Sequence, residues 1–133
     1  FLNVLDNVAL LPMLAGVPNN IARASALEIL TALDVQHRIH AMPGQLSGGE
    51  QQRVAIARGL INKPPVILAD EPTAPLDSVR AMTVIRLLHE MAEKFQTAII
   101  VVTHDDNIIP TFQRLYHIRE GITYEEKGEG RSF

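Results

Sequence analysis

The 133-residue chain has no cysteine and no tryptophan, and only 5% of its residues are aromatic. Without cysteine it forms no disulfide, carries no thiolate nucleophile and holds no Cys-ligated zinc, all of which fits a reducing compartment. Basic residues are not in excess: 12 Lys and Arg face 15 Asp and Glu, for a net charge of −3. A nucleic-acid partner, which calls for a basic stripe or surplus, is therefore not expected. No apolar run approaches the roughly 18 residues of a membrane span, and the longest are short, such as Ala98-Ile99-Ile100-Val101-Val102. There is no signal-peptide pattern at the start. The chain opens at Phe1, in the middle of a pattern, and on that ground a fragment is expected.

What is present suits a folded domain, with 47% hydrophobic and 20% charged residues. Leu2, Leu5, Val8 and Ala9 have helical spacing, which Pro12 is expected to interrupt. After the break at Gly16-Val17-Pro18, Asn19 or Asn20 can cap a helix whose apolar residues fall at 21, 24, 27, 30 and 33. Residues 37–45 read as a loop. Ser47, with Glu50 three positions on, forms a capping-box pattern for a helix ending near Ile61, before Asn62-Lys63-Pro64-Pro65. Val66–Ala69 and Thr97–Thr103 read as parallel strands buried on both faces. Between them a helix from Ser78 carries Val79, Met82, Ile85, Leu88, Met91 and Phe95 as one stripe, completing a right-handed βαβ unit. A short helix near 105–112, a hairpin of 114–119 with 122–125, and a loose charged tail close the chain. One domain is expected, with residues 1–62 a mainly helical lobe, 63–126 an α/β part and 127–133 the tail.

Two stretches carry chemistry. Leu46-Ser47-Gly48-Gly49-Glu50 opens a helix with a hydroxyl and two unobstructed backbone amides, a shape suited to a phosphate; a plain capped helix after a Gly turn would look similar. The strand at Val66–Ala69 delivers Asp70 and Glu71 at its C-terminal end, where open α/β sheets place their chemistry. Asp70 suits Mg²⁺ held through water, and Glu71 can polarise an attacking water. His104 follows the second strand and should emerge at the same sheet edge, since parallel strands share one. The other histidines, His37, His40, His89 and His117, show no partner pattern and read as structural or solvated.

The string from Leu46 through Arg58, followed by Leu68-Ala69-Asp70-Glu71-Pro72-Thr73, resembles the signature and Walker B motifs of the ATP-binding cassette (ABC) ATPases. The resemblance spans essentially the whole chain and lies nearest the lipoprotein-release, macrolide-export and cell-division branch, with glycolipid exporters also similar. It implies an α/β, P-loop NTPase-like fold, here partial: the helical lobe plus the C-terminal part of the parallel sheet. It also implies ATP and Mg²⁺, a head-to-tail dimer with a second ATPase subunit, transmembrane permease subunits, and a place on the cytoplasmic face of the membrane. Leu46, Ser47, Gly48, Gly49 and Glu50 would then contact nucleotide in trans. Glu71 and His104 would be catalytic, with His104 the switch histidine, and Asp70 the metal residue. Ala74, Pro75, Leu76 and Asp77 match the D-loop at the dimer interface, although a Pro-containing turn before a capped helix has the same look.

No G-x-x-x-x-G-K-[ST] stretch occurs, and the three lysines, Lys63, Lys94 and Lys127, lack that context. The sequence reading is therefore a C-terminal fragment lacking Walker A, inactive alone and a poor independent folder, with sheet edges and apolar faces uncovered. Its alternative is a non-hydrolysing half-domain that docks on an intact ATPase. A chromosome-maintenance ATPase fits poorly, because no sustained heptads precede the signature.

Overall fold

The computed structural model describes residues 2–74 and 76–131; Pro75 and the terminal residues 1, 132 and 133 lie outside it. The chain divides into two compact units, Phe1–Leu68 with Leu87–Ile100, and Ala69–Arg86 with Val101–Phe133.

The first unit is built on three helices, α1 (Val4–Leu14), α2 (Asn19–Ala32) and α3 (Gly48–Leu60), which pack on one another. Asn3 caps α1, its Oδ1 accepting the Asp6 amide at 2.8 Å. Pro12 does not interrupt α1, contrary to the sequence reading; it is buried within the helix. A proline here forfeits one amide hydrogen bond near the end of a helix, and burying its ring offsets part of that loss. The buried face of α2 also differs from expectation. It is Ala22, Ala26, Ile29 and Leu30, followed by Leu33, while Ile21 and Leu27 are exposed. Strict i+3 spacing drifts about 60° around a helix at each step, so 21, 24, 27, 30 and 33 cannot share one face. Val54, Ala57 and Leu60 of α3 complete the core with Val4, Val8 and Ala9 of α1. Short 3₁₀ turns at Gln36–Arg38 and Pro43–Gln45 shape the loop between α2 and α3.

Two strands, β1 (Val66–Asp70) and β2 (Ala98–Val102), form a two-stranded sheet joined through α4 (Ser78–Phe95). The Ala98 amide donates to Pro65 O and the Glu71 amide to Val102 O, both at 2.9 Å, so the strands run parallel. They are not buried on both faces. Along each strand half-buried residues alternate with exposed ones, and Leu68 is 77% and Val102 60% exposed. Period-two alternation marks a sheet covered on one side only. The stripe of α4 is Ala81, Val84, Ile85, Leu88 and Met91; Val79 is exposed.

In the second unit β3 (Arg114–Arg119) pairs antiparallel with β4 (Ile122–Lys127) as a hairpin. Only the turn Ile109–Thr111 is helical in the segment read as a helix near 105–112. The described part of the tail is held by backbone bonds: the amides of Gly128, Gly130 and Arg131 donate to the carbonyls of Gln113, Phe112 and Pro110. Gly128 is needed for this, because a Cβ there would overlap the Phe112 carbonyl.

Candidate functional site

Two clusters hold the candidate residues, one in each unit. In the first unit Ser47 is the N-cap of α3, with extended backbone (φ −65°, ψ 160°). The Glu50 amide donates to Ser47 Oγ at 3.3 Å, and the Ser47 amide donates to Glu50 Oε2 at 2.7 Å, closing the capping box. With Oγ accepting, the Ser47 hydroxyl proton remains available to an outside acceptor. Leu46 is buried and anchors the turn, and Gln51 Nε2 donates to the Leu46 carbonyl at 3.2 Å. A Cβ added to Gly48 or to Gly49 would meet nothing within 4 Å, and neither has a positive φ. Neither glycine is thus required by the chain's own packing, although each weakens the helix relative to alanine. The space above these amides is open to something outside the chain.

Glu50 also has partners the sequence did not reveal. His37 Nε2 and Arg38 Nε each lie 3.3 Å from its Oε1. The Ser47 amide, followed by the Ser47 hydroxyl, Arg38 and His37, holds the Glu50 carboxyl below the usual carboxylate range against some desolvation. His37 therefore belongs to the signature's surroundings. The signal was a basic pair preceding the signature, legible only once the loop was known to fold back.

In the second unit, Glu71 and His104 come together as expected from the shared sheet edge. Glu71 has a left-handed backbone (φ 45°), uncommon for a non-glycine residue and a recurrent mark of functional positions. Its Oε1 lies 2.6 Å from His104 Nδ1, and Thr103 Oγ1 donates to Oε2 at 3.3 Å. Since a carboxylate only accepts, Nδ1 of His104 carries the proton in this contact. The hydrogen bond to Glu71, then its charge and those of Asp105 and Asp106, raise the His104 pKa above its ordinary value. Thr103 was missed in the sequence; its hydroxyl also accepts the Asp105 amide at 3.1 Å, which fixes the bend after β2.

Asp70 ends β1 as an exposed carboxylate. Among the described residues no group of three His, Cys, Asp or Glu could enclose a metal ion. A lone exposed carboxylate fits an ion that keeps most of its water, as Mg²⁺ does. In the D-loop stretch, the Ala74 amide donates to the Glu71 carbonyl at 3.2 Å and the Leu76 amide to the Thr73 carbonyl at 2.9 Å. Asp77 accepts the Arg80 amide at 3.0 Å and so caps α4. Pro75 lies outside the described residues.

The ABC transporter family model matches residues 3–74, more than half of the chain and inclusive of the signature, Asp70 and Glu71. The chain belongs to the ABC transporter family. Among ABC transporter relatives, the lipoprotein-releasing system ATP-binding protein LolD of Idiomarina loihiensis is 44% identical over 95% of the chain and 55% of its own length. LolD of Psychrobacter arcticus is 47% identical over 87% of the chain and 52% of its own. The chain thus spans about half the length of the curated relatives it matches. Of solved structures, cbiO1 from Clostridium perfringens, part of an ABC transporter complex, superposes with a TM-score of 0.87 at 29% identity, over 97% of the chain and 51% of cbiO1. The cassette MJ0796, solved as a dimer bound to ADP and Pi, matches 100% of the chain and 59% of its own at a TM-score of 0.76 and 39% identity.

These matches overturn the expectation of a C-terminal fragment with a partial fold. The likeness is not confined to a C-terminal lobe; it begins at residue 3 in the family model and covers 97–100% of the chain in these two solved cassettes. What folds here is an ABC ATPase fold along nearly the whole chain. The descriptions as a C-terminal fragment, a partial fold and a docking half-domain, inactive alone, are set aside.

Proposed function

We propose that this chain acts as the ATP-driven subunit of an ABC transporter, in the branch that includes the lipoprotein-releasing ATPases. The observation that carries the proposal is the Glu71–His104 contact of 2.6 Å at the C-terminal edge of a parallel strand pair, with Glu71 in a strained backbone conformation. Hydrolysis needs a carboxylate that orients water and a donor beside the γ-phosphate. Glu71, held by Thr103 and His104, keeps lone pairs on both oxygens for a water proton. His104 in its cationic form donates Nδ1–H to Glu71 and has Nε2–H left for a phosphate oxygen. Asp70 would hold Mg²⁺ through water, and the ion would supply positive charge to the phosphates.

Ser47, Gly48 and Gly49 face open space, which suits a signature that meets nucleotide bound by a second ATPase subunit in a head-to-tail dimer. Ala74, Leu76 and Asp77 would then lie at that interface. No helix among the described residues is long and apolar enough to cross a membrane. By likeness to the lipoprotein-releasing system ATP-binding proteins, coupling is assigned to permease subunits, with this chain on their cytoplasmic face. The LolD relatives support lipoprotein as the cargo class.

The test is Glu71→Gln in the purified protein. ATP turnover should fall at least about a hundredfold, as when a water-positioning group is lost, while an ATP-bound dimer accumulates. Turnover at the unmodified rate would remove Glu71 from the mechanism.

A further inference from the structure

Glu50 poses an electrostatic problem for the reading above. A carboxylate in the first turn of α3 interacts favourably with the helix N-terminus, but the same turn is where a triphosphate is expected to approach. Two like charges at such a spot repel each other unless one is compensated. The structure supplies the compensation from outside the motif. Arg38 Nε is sealed from solvent and lies 3.3 Å from Glu50 Oε1, as an ion pair and not a directed hydrogen bond. Its Nη2 donates to the Gln45 carbonyl, which fixes the guanidinium over the turn leading into Ser47. His37 Nε2 reaches the same Glu50 oxygen at 3.3 Å, though its side chain is the more exposed of the two. Arg38, the less exposed of the two and held by its bond to Gln45, is the better-placed counter-ion.

We infer that Arg38 is a positioning residue that neutralises Glu50, allowing a signature carrying a carboxylate to accept the triphosphate of a partner subunit. The inference rests on the ATPase reading above and extends it to a residue outside every recognised motif. Arg38 touches no nucleotide in this scheme; it acts through Glu50. A glutamine at position 50 would keep the capping box, since Gln serves there as well as Glu, and would need no counter-ion. Dependence on Arg38 should therefore vanish when Glu50 is made neutral, which a merely structural role for Arg38 would not produce.

The experiment measures dimerisation of the purified protein driven by magnesium and β,γ-imido ATP, using light scattering. R38Q should raise the analogue concentration for half-maximal dimerisation about three- to tenfold, the range of a partly buried charge pair. In an E50Q background the same R38Q substitution should change it by less than about twofold, and R38K should recover most of the loss. Equal losses in both backgrounds would assign Arg38 to the loop it bonds at Gln45. That result would overturn the inference and leave the ATPase reading standing. Failure of the unmodified protein to dimerise with the analogue would overturn the ATPase reading, and the inference with it.

Discussion

Nδ1 of His104 lies 2.6 Å from Oε1 of Glu71, a partner 33 residues earlier in the chain. The bond ties the end of β2 to the residue following β1, and it sets the protonation of the imidazole. With its pKa raised by Glu71, His104 should titrate above 6.5 in an NMR pH series, and Glu71→Gln should bring it back down. The sign follows from linkage: a raised folded-state pKa gives stability that is fully present below the unfolded value and is lost as pH rises through the folded one. A His104 titrating below 6.5 would contradict the pairing.

Gly48→Ala should separate folding from binding. The added Cβ meets nothing within the chain, and alanine favours a helix over glycine by up to about 1 kcal/mol. Denaturant midpoints should therefore rise slightly, while nucleotide-driven dimerisation collapses because the approach to the amides is blocked. A stabilised variant that dimerises normally would show that the open space above α3 receives nothing.

Thr103→Val keeps the shape of the side chain but removes the donor to Glu71 Oε2 and the acceptor for the Asp105 amide. Loss of a net hydrogen bond of about 1 kcal/mol predicts a three- to tenfold drop in kcat, roughly, with the KM for ATP little altered. Thr103→Ser should recover most of it. A change in KM alone would make Thr103 a binding residue.

Gly128→Ala should be destabilising, by roughly 1–3 kcal/mol, as overpacking against backbone is, because the new Cβ overlaps the Phe112 carbonyl. Gly44→Ala, where a Cβ meets nothing within 4 Å, is the control and should leave the unfolding midpoint nearly unchanged.

Local chemistry was the legible part of the sequence. The capping box of Ser47 and Glu50, the start of α3 and the shared edge of Glu71 and His104 follow from spacing and from the parallel βαβ rule, which need no distant information. Arg38 and His37 could not be found that way, because their contact with Glu50 depends on how two 3₁₀ turns return the loop to α3. The drift of i+3 spacing misassigned the core face of α2, and Pro12 was over-read because its burial was not visible. The hold on the tail depends on a close backbone approach at Gly128, which no periodicity reports. The lack of a G-x-x-x-x-G-K-[ST] stretch led to the expectation of a partial fold, whereas the likeness to solved cassettes runs along nearly the whole chain.

Asp70 and Glu71 differ by one methylene and sit side by side, yet the chain changes hand between them. Asp70 keeps step with Val66 and Leu68 along the pleat, while Glu71, at φ 45°, leaves it for Thr103 and His104. Interchanging the two acids would preserve composition, charge and hydropathy. It would also leave the shorter acid at the turned position, reaching about 1.5 Å less far toward the imidazole. Order within this dipeptide is thus a structural quantity in its own right, invisible to any measure that counts residues without regard to handedness.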